Sequence, residues 1–446
     1  MSCIIAIALA ALLIFRPSLP AFARAEPVRP SGTQDNPPSI LTTLNTNADP
    51  ALAPQGTSLH ILDIENKALF EFPLTTSAGE PIAGQPMHTA ITADGTKVYV
   101  TMGGNQQLST RIAVVNLNWL KRKPNPTIAK VINLLPPGTQ GNEANGASCH
   151  PGEPGIRQEG HGPQISKDGQ YLMLSELQNN SVVTINTATD AIVSETHPSD
   201  TTFAPHGLYP NPSGSVAASP QYWYNKNSVS LWDVNTENGE ISFRENLKLE
   251  NGELEGSYLH TIWWLDDDSF ITNATQDSDQ GNQKSERSVW LVNIKTKEST
   301  PILKGNDLLE GASDTIVANN KLYVAEGNVA KFLSGENAPG HLSVWDFHDQ
   351  RNPTLIKRLS PGTGLPDSFA NAHSLARTHN EKTVFLESFS SNYLLQINSQ
   401  TDEVEEVFSS GDGLINTHGL YITDQSLGTA QASSNGDTLA SSAAKA

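Results

Sequence analysis

One short pattern recurs seven times along this 446-residue chain: His or Asp, then Gly, Ser or Thr, then Ala, Pro, Ile or Leu. The copies are His88-Thr-Ala, His161-Gly-Pro, His206-Gly-Leu, His260-Thr-Ile, Asp314-Thr-Ile, His373-Ser-Leu and His418-Gly-Leu, with starts separated by 73, 45, 54, 54, 59 and 45 residues. That interval is the length of one four-stranded propeller blade with loops of varying size. Seven copies therefore predict an all-β chain folded as a seven-bladed β-propeller.

Each copy is followed by the same order of strand signals. A turn comes first (Asp94-Gly95, Asp168-Gly169, Ser213-Gly214, Asn319-Asn320), then an apolar run such as Val98-Tyr-Val, Tyr171-Leu-Met-Leu or Leu322-Tyr-Val. The third strand alternates and often ends in Asp or Asn, as in Ile112-Ala-Val-Val-Asn and Ser228-Val-Ser-Leu-Trp-Asp, and the fourth is shorter, as at Ala191-Ile-Val. No long stretch has the 3.6-residue period of an amphipathic helix. The tryptophans at 223, 232, 263, 264, 290 and 345 fall mostly within these strands, which assigns them to packing between blades.

The two ends of the repeat array complement each other. The seventh start, His418-Gly-Leu-Tyr-Ile-Thr, is followed by one strand only, while Ser39 to Thr46, Thr57 to Ile64 and Ala68 to Leu74 read as strands two, three and four of a blade. Pairing the C-terminal strand with the N-terminal ones closes the ring and leaves no open sheet edge. The propeller is expected over residues 39–426, after a flexible lead at 26–38 and before a tail at 427–446 too poor in apolar residues to order itself. Residues 1–25 read as a cleaved signal peptide: Ile4 to Phe15 is too short an apolar run to span a membrane comfortably, and Ala21, Ala23 and Ala25 follow with peptidase-site spacing. An uncleaved anchor or a misassigned start is the alternative, since no Lys or Arg precedes the run. The expected location is periplasmic or secreted, with no stable membrane span after processing.

With 28 basic and 47 acidic residues the net charge is −19, which disfavours nucleic acid and anionic lipid as partners and favours cations. Cys3 lies in the signal segment, so the mature chain carries Cys149 alone and has no internal disulfide. No Gly-x-Ser-x-Gly elbow, Walker loop or dinucleotide fingerprint is present, leaving nucleophilic hydrolysis and nucleotide chemistry without an anchor.

The blade pattern, with Tyr-Leu-Met-Leu-Ser-Glu-Leu-Gln-Asn-Asn-Ser-Val-Val-Thr-Ile-Asn at 171 to 186, resembles the repeats of YVTN-type seven-bladed propellers, a broad superfamily of mostly exported bacterial proteins. The resemblance covers nearly the whole mature chain and implies fold, not activity. The histidines at the strand starts are similar in style to the propeller of nitrous oxide reductase, where blade histidines hold a copper cluster, and to the copper-dependent methanethiol oxidases related to selenium-binding proteins. The cupredoxin domain of the first group is missing here. What the resemblance implies is a metal site at the channel mouth, without a substrate.

The geometry of the fold leads to the same place. First strands line the central axis, so His88, His161, His206, His260, Asp314, His373 and His418 are expected to converge from one face of the disc. Half of the twelve histidines occupy this single repeat position. Neutral imidazole suits copper, zinc, iron and nickel, whereas calcium or magnesium would need more carboxylates. The expected metal ligands are the six histidines, and the expected cofactor is a transition metal, copper first, with iron or zinc as alternatives. Asp314 is read as a ligand, as a proton acceptor for metal-bound water, or as a drifted histidine position. Glu176, with Glu326 at the matching place and Glu387 one residue away from it, is expected to orient the imidazoles from behind. Asp314 and Glu176 are thus the catalytic candidates. Met102 matches Glu176 in the first blade and reads as a core residue before a copper ligand. An insertion before His161 brings Cys149 and His150 toward the mouth.

The resulting expectation is an exported metalloprotein performing redox chemistry on a small molecule. The alternatives are a metal-handling protein without turnover, and a structural propeller that presents loops to a protein partner.

Overall fold

The computed structural model describes residues 39–45, 58–75, 82, 85–103, 111–120, 123–134, 160–176, 181–196, 204–221, 227–249, 258–275, 287–328 and 337–423. The signal segment, the lead, the tail, Trp223, Cys149 and His150 lie outside them. Among the described residues no helix is long and apolar enough to cross a membrane.

Seven antiparallel sheets succeed one another around an axis. Blade one is built from Gln85–Ile91, Lys97–Gly103, Arg111–Leu120 and Lys123–Asn133, and blade two from Gly160–Ile165, Tyr171–Glu176, Ser181–Asn186 and Ala191–Thr196. Blades three to six follow in the same order, and the fifth gains a short parallel strand at Gly364–Leu365. Blade seven closes the ring as its sequence implies: Thr417–Ile422 pairs with Ile40–Asn45, placing Ile422 opposite Leu41 and His418 opposite Leu44.

Alternation within the strands produces this architecture. Inner strands such as Tyr171–Glu176 are buried on both faces because blades stack against each other, whereas the outermost, such as Ala191–Thr196, is half exposed. Trp232, Trp290 and Trp345 fill the gaps between blades, each donating its indole N–H to the serine two residues earlier, Ser230, Ser288 and Ser343. A polar clamp appears twice. Lys97 and Tyr99 of blade one both reach Asp190 of blade two, at 2.9 and 2.8 Å, and Lys321 and Tyr323 of blade five both reach Asp402 of blade six, at 2.6 Å each.

Candidate metal centre

The innermost strand breaks register where its histidine stands. An irregularity falls between His161 and Gln164, between Leu259 and Ile262, between Ala372 and Leu375, and at Gly419–Leu420 after His418. A bulge kinks a strand and re-aims its side chains. Here it accompanies a set of imidazoles gathered around the axis.

Six imidazoles form a closed circle. Going round, ring centroids are 4.8 Å apart for His88 and His161, 4.5 Å for His161 and His206, and 4.3 Å for His206 and His260. The circle continues with 5.1 Å from His260 to His373, 4.8 Å from His373 to His418, and 4.6 Å from His418 back to His88. All but His88 are buried, and His88 is half-buried. The six side chains stand around the axis in the order of their blades.

Burial, reinforced by neighbouring imidazoles, holds His88, His206, His260 and His373 far below the usual histidine range, so they are neutral at pH 7. Backbone carbonyls select the tautomer of two of them. His206 Nδ1 donates to the carbonyl of His260 at 2.8 Å, and His260 Nδ1 donates to that of Ser313 at 2.5 Å. Since a carbonyl only accepts, each Nδ1 carries the proton and each Nε2 is the lone-pair nitrogen. His88 Nε2 and His161 Nδ1 share a hydrogen bond of 3.1 Å, one donating to the other. Among the described residues no three His, Cys, Asp or Glu side chains are gathered into a ready-made metal cage.

Asp314 holds the expected register position but stands outside the circle of imidazoles. Glu326 and Glu176 match in their strands, and Asp314 pairs with Ala325 as His161 does with Ser175, with Ser313 the extra residue of a bulge before it. The circle nevertheless passes from His260 directly to His373. Asp314 joins a level just behind the ring, where its carboxylate accepts from Thr261 Oγ1, Thr315 N and Leu375 N, each at 2.8 Å. Burial raises it to about 6. His88 likewise follows a bulged residue, Met87, and pairs with Thr101, and its imidazole touches both neighbours in the ring.

At this second level three blades have glycine: Gly162, Gly207 and Gly419, all with positive φ. A Cβ on Gly207 would lie 2.5 Å from the Tyr209 ring, and one on Gly419 would lie 2.7 Å from the Met87 carbonyl. Close approach of neighbouring blades, together with the left-handed backbone, accounts for the glycines that follow three of the histidines.

The expected carboxylate support divides. Glu176 accepts from Ser181 Oγ at 2.6 Å, and Glu326 accepts from Leu309 N at 2.6 Å and lies 3.5 Å from Arg358 Nε. Those bonds tie strands and turns rather than imidazoles. Glu387 connects to the ring. It accepts from Thr43 Oγ1, from Gly419 N and from Ser374, whose hydroxyl is 3.0 Å from His373 Nδ1. Burial raises Glu387 to about 7. Met102 belongs to the apolar core.

Phe389 has no precedent in the repeat pattern. It stacks on His373 at 4.9 Å and 25° and lies 4.6 Å from His418. Its only signal in the sequence is its place just beyond the second strand of blade six, Thr383–Ser388.

Behind the ring runs a cavity of about 110 Å³ that opens to solvent. His88, His260 and His373 contribute to its wall, as do Asp314, Thr261, Tyr209, Trp263 and Tyr421. Trp263 packs against the cores on either side of it, as expected, and being half-buried also faces this cavity.

Fold and site together define a seven-bladed β-propeller with an axial histidine ring. No family model and no characterised protein sequence matches the chain. Solved structures do match. A functionally unknown protein of Desulfotomaculum acetoxidans is 12% identical with a TM-score of 0.54, over 86% of this chain and 98% of its own. The periplasmic gluconolactonase of Pseudomonas aeruginosa is 12% identical with a TM-score of 0.55, over 86% and 99%. A protein of Lactobacillus plantarum is 11% identical with a TM-score of 0.55, again over 86% and 99%. At these identities the likeness establishes the propeller fold alone.

Proposed function

We propose that the histidine ring holds a transition metal, copper before iron or zinc, in an exported oxidoreductase acting on a small molecule. The observation that carries this reading is the closed circle of six imidazoles, among which burial keeps His88, His206, His260 and His373 uncharged at pH 7. A metal ligand must be an unprotonated nitrogen. The carbonyls of His260 and Ser313 keep His206 and His260 in that form at Nε2, an outer-shell arrangement typical of ligating histidines. An all-nitrogen donor set favours copper, zinc or iron over hard cations. Bound copper or iron would supply one-electron chemistry. The chain's own residues would contribute a neutral site, with Ser374 placed between His373 Nδ1 and Glu387 so that its hydroxyl donates to the carboxylate and accepts from the ring, fixing the imidazole's orientation.

Binding would require the His88–His161 hydrogen bond to open. The same contacts also support a second reading, in which imidazole and carbonyl bonds only stitch adjacent blades together. Separate His206→Ala and His373→Ala variants distinguish the two. Under the metal reading each lowers copper retention by roughly tenfold or more, as loss of one ligand usually does. Unchanged retention in both variants, with lowered melting temperatures, would leave the ring a purely structural device.

A further inference from the structure

We propose that the cavity behind the ring is a binding site for a small organic ammonium ion, anchored on Asp314. As a statement about the substrate this rests on the metal reading; as a binding site it stands without it. The wall carries one carboxylate and no Lys or Arg among the described residues. That carboxylate already accepts three hydrogen bonds, from Thr261, Thr315 and Leu375, which fix its orientation, and no cation among the described residues pairs with it. Four lone-pair directions are available to a carboxylate, so one remains for an incoming N–H donor.

The rest of the wall suits the remainder of such a molecule. Tyr209, Trp263 and Tyr421 present aromatic surface, and Ile262, Leu375 and Leu420 add apolar surface. Aromatic faces attract alkylammonium groups through their quadrupole, most strongly where water is scarce. Arg377, whose guanidinium lies 5.1 Å from the Trp263 ring centroid, does not line the cavity and is paired with Glu381. Among the side chains of the wall an anionic molecule would find no countercharge and would meet Asp314. A sugar acid or phosphorylated sugar is therefore disfavoured, and a primary amine of a few carbons is favoured. His88, His260 and His373 line the same cavity, which brings the bound molecule beside the ring.

Calorimetric titration of the full chain at pH 8 tests this, using propylammonium, potassium, 1-propanol and acetate as probes. Propylammonium is expected to bind with a dissociation constant of roughly a millimolar or below, at least about tenfold tighter than each of the other three. Asp314→Asn is expected to remove that preference, while the unaltered chain keeps it both in chelator and after copper reconstitution, so that failure of the metal reading leaves this result intact. Absence of propylammonium binding up to roughly ten times that concentration would overturn the proposal. So would equal binding of 1-propanol or potassium. Should Asp314→Asn fail to fold, the selectivity of the unaltered chain among the four probes decides on its own.

Discussion

A chain ending at Asn416 is expected to be recovered as aggregate instead of monomer. The missing segment, Thr417–Ile422, is the innermost strand of blade seven and pairs with Ile40–Asn45. Its loss removes buried Thr417, His418, Tyr421 and Ile422 from contact with blades one and six. It also strips the partner from Ile40–Asn45, whose six residues are all buried. Two large side chains at about 1.5–3 kcal/mol each and several strand hydrogen bonds at about 1 kcal/mol each approach the whole stability of an ordinary domain. An unpaired apolar edge then promotes association. Size-exclusion chromatography with far-ultraviolet circular dichroism checks this, and a monomer with the melting temperature of the full chain would show that closure contributes little.

Acid sensitivity is the second large effect. Burial depresses His60 to about 4 and holds His88, His206, His260 and His373 well below 6.5. In the unfolded chain all five take up protons below about pH 6.5. A histidine neutral only when folded contributes stability that is complete above its unfolded value and is lost as pH falls through it. Asp314 and Glu387 act in the opposite direction: raised to about 6 and about 7, they hold protons in the folded state that the unfolded state releases, so they favour folding as pH falls toward their unfolded values near 4. With five depressed histidines set against two raised carboxyls, the unfolded chain binds more protons at these sites than the folded chain as pH falls below about 6.5, so stability falls with pH. Urea midpoints measured in chelator at pH 7.5, 6.5 and 5.5 are expected to fall steeply and increasingly. A flat profile would mean that the ring histidines are protonated in the folded state, which would also disqualify them as neutral ligands.

The ring was legible in the sequence because a repeat fold converts periodicity into convergence: His161, His206, His260, His373 and His418 recur at one strand start and meet at the axis. The place of Asp314 outside the circle was not legible. A bulge at Ser313 precedes it, and a one-residue insertion leaves no mark in repeat spacings that already vary from 45 to 73 residues. Register also explains why Glu387 reaches the ring through Ser374 while Glu176 does not. Glu176 faces Gly160, whereas Glu387 lies opposite the His373–Ser374 bulge, and a one-residue offset along a strand reverses the face a side chain presents. Phe389 follows its strand outside the repeated positions, so no internal comparison could single it out.

The measurement that bears most directly on the histidine ring is the metal content of the full chain after reconstitution with copper and gel filtration. It is best combined with paramagnetic resonance of the cupric form to count nitrogen ligands. Retention of at least about one equivalent, with hyperfine splitting from several imidazole nitrogens that is lost in His206→Ala, is the predicted result. Less than roughly a tenth of an equivalent, or a signal of oxygen ligation unaltered in His206→Ala, would contradict it.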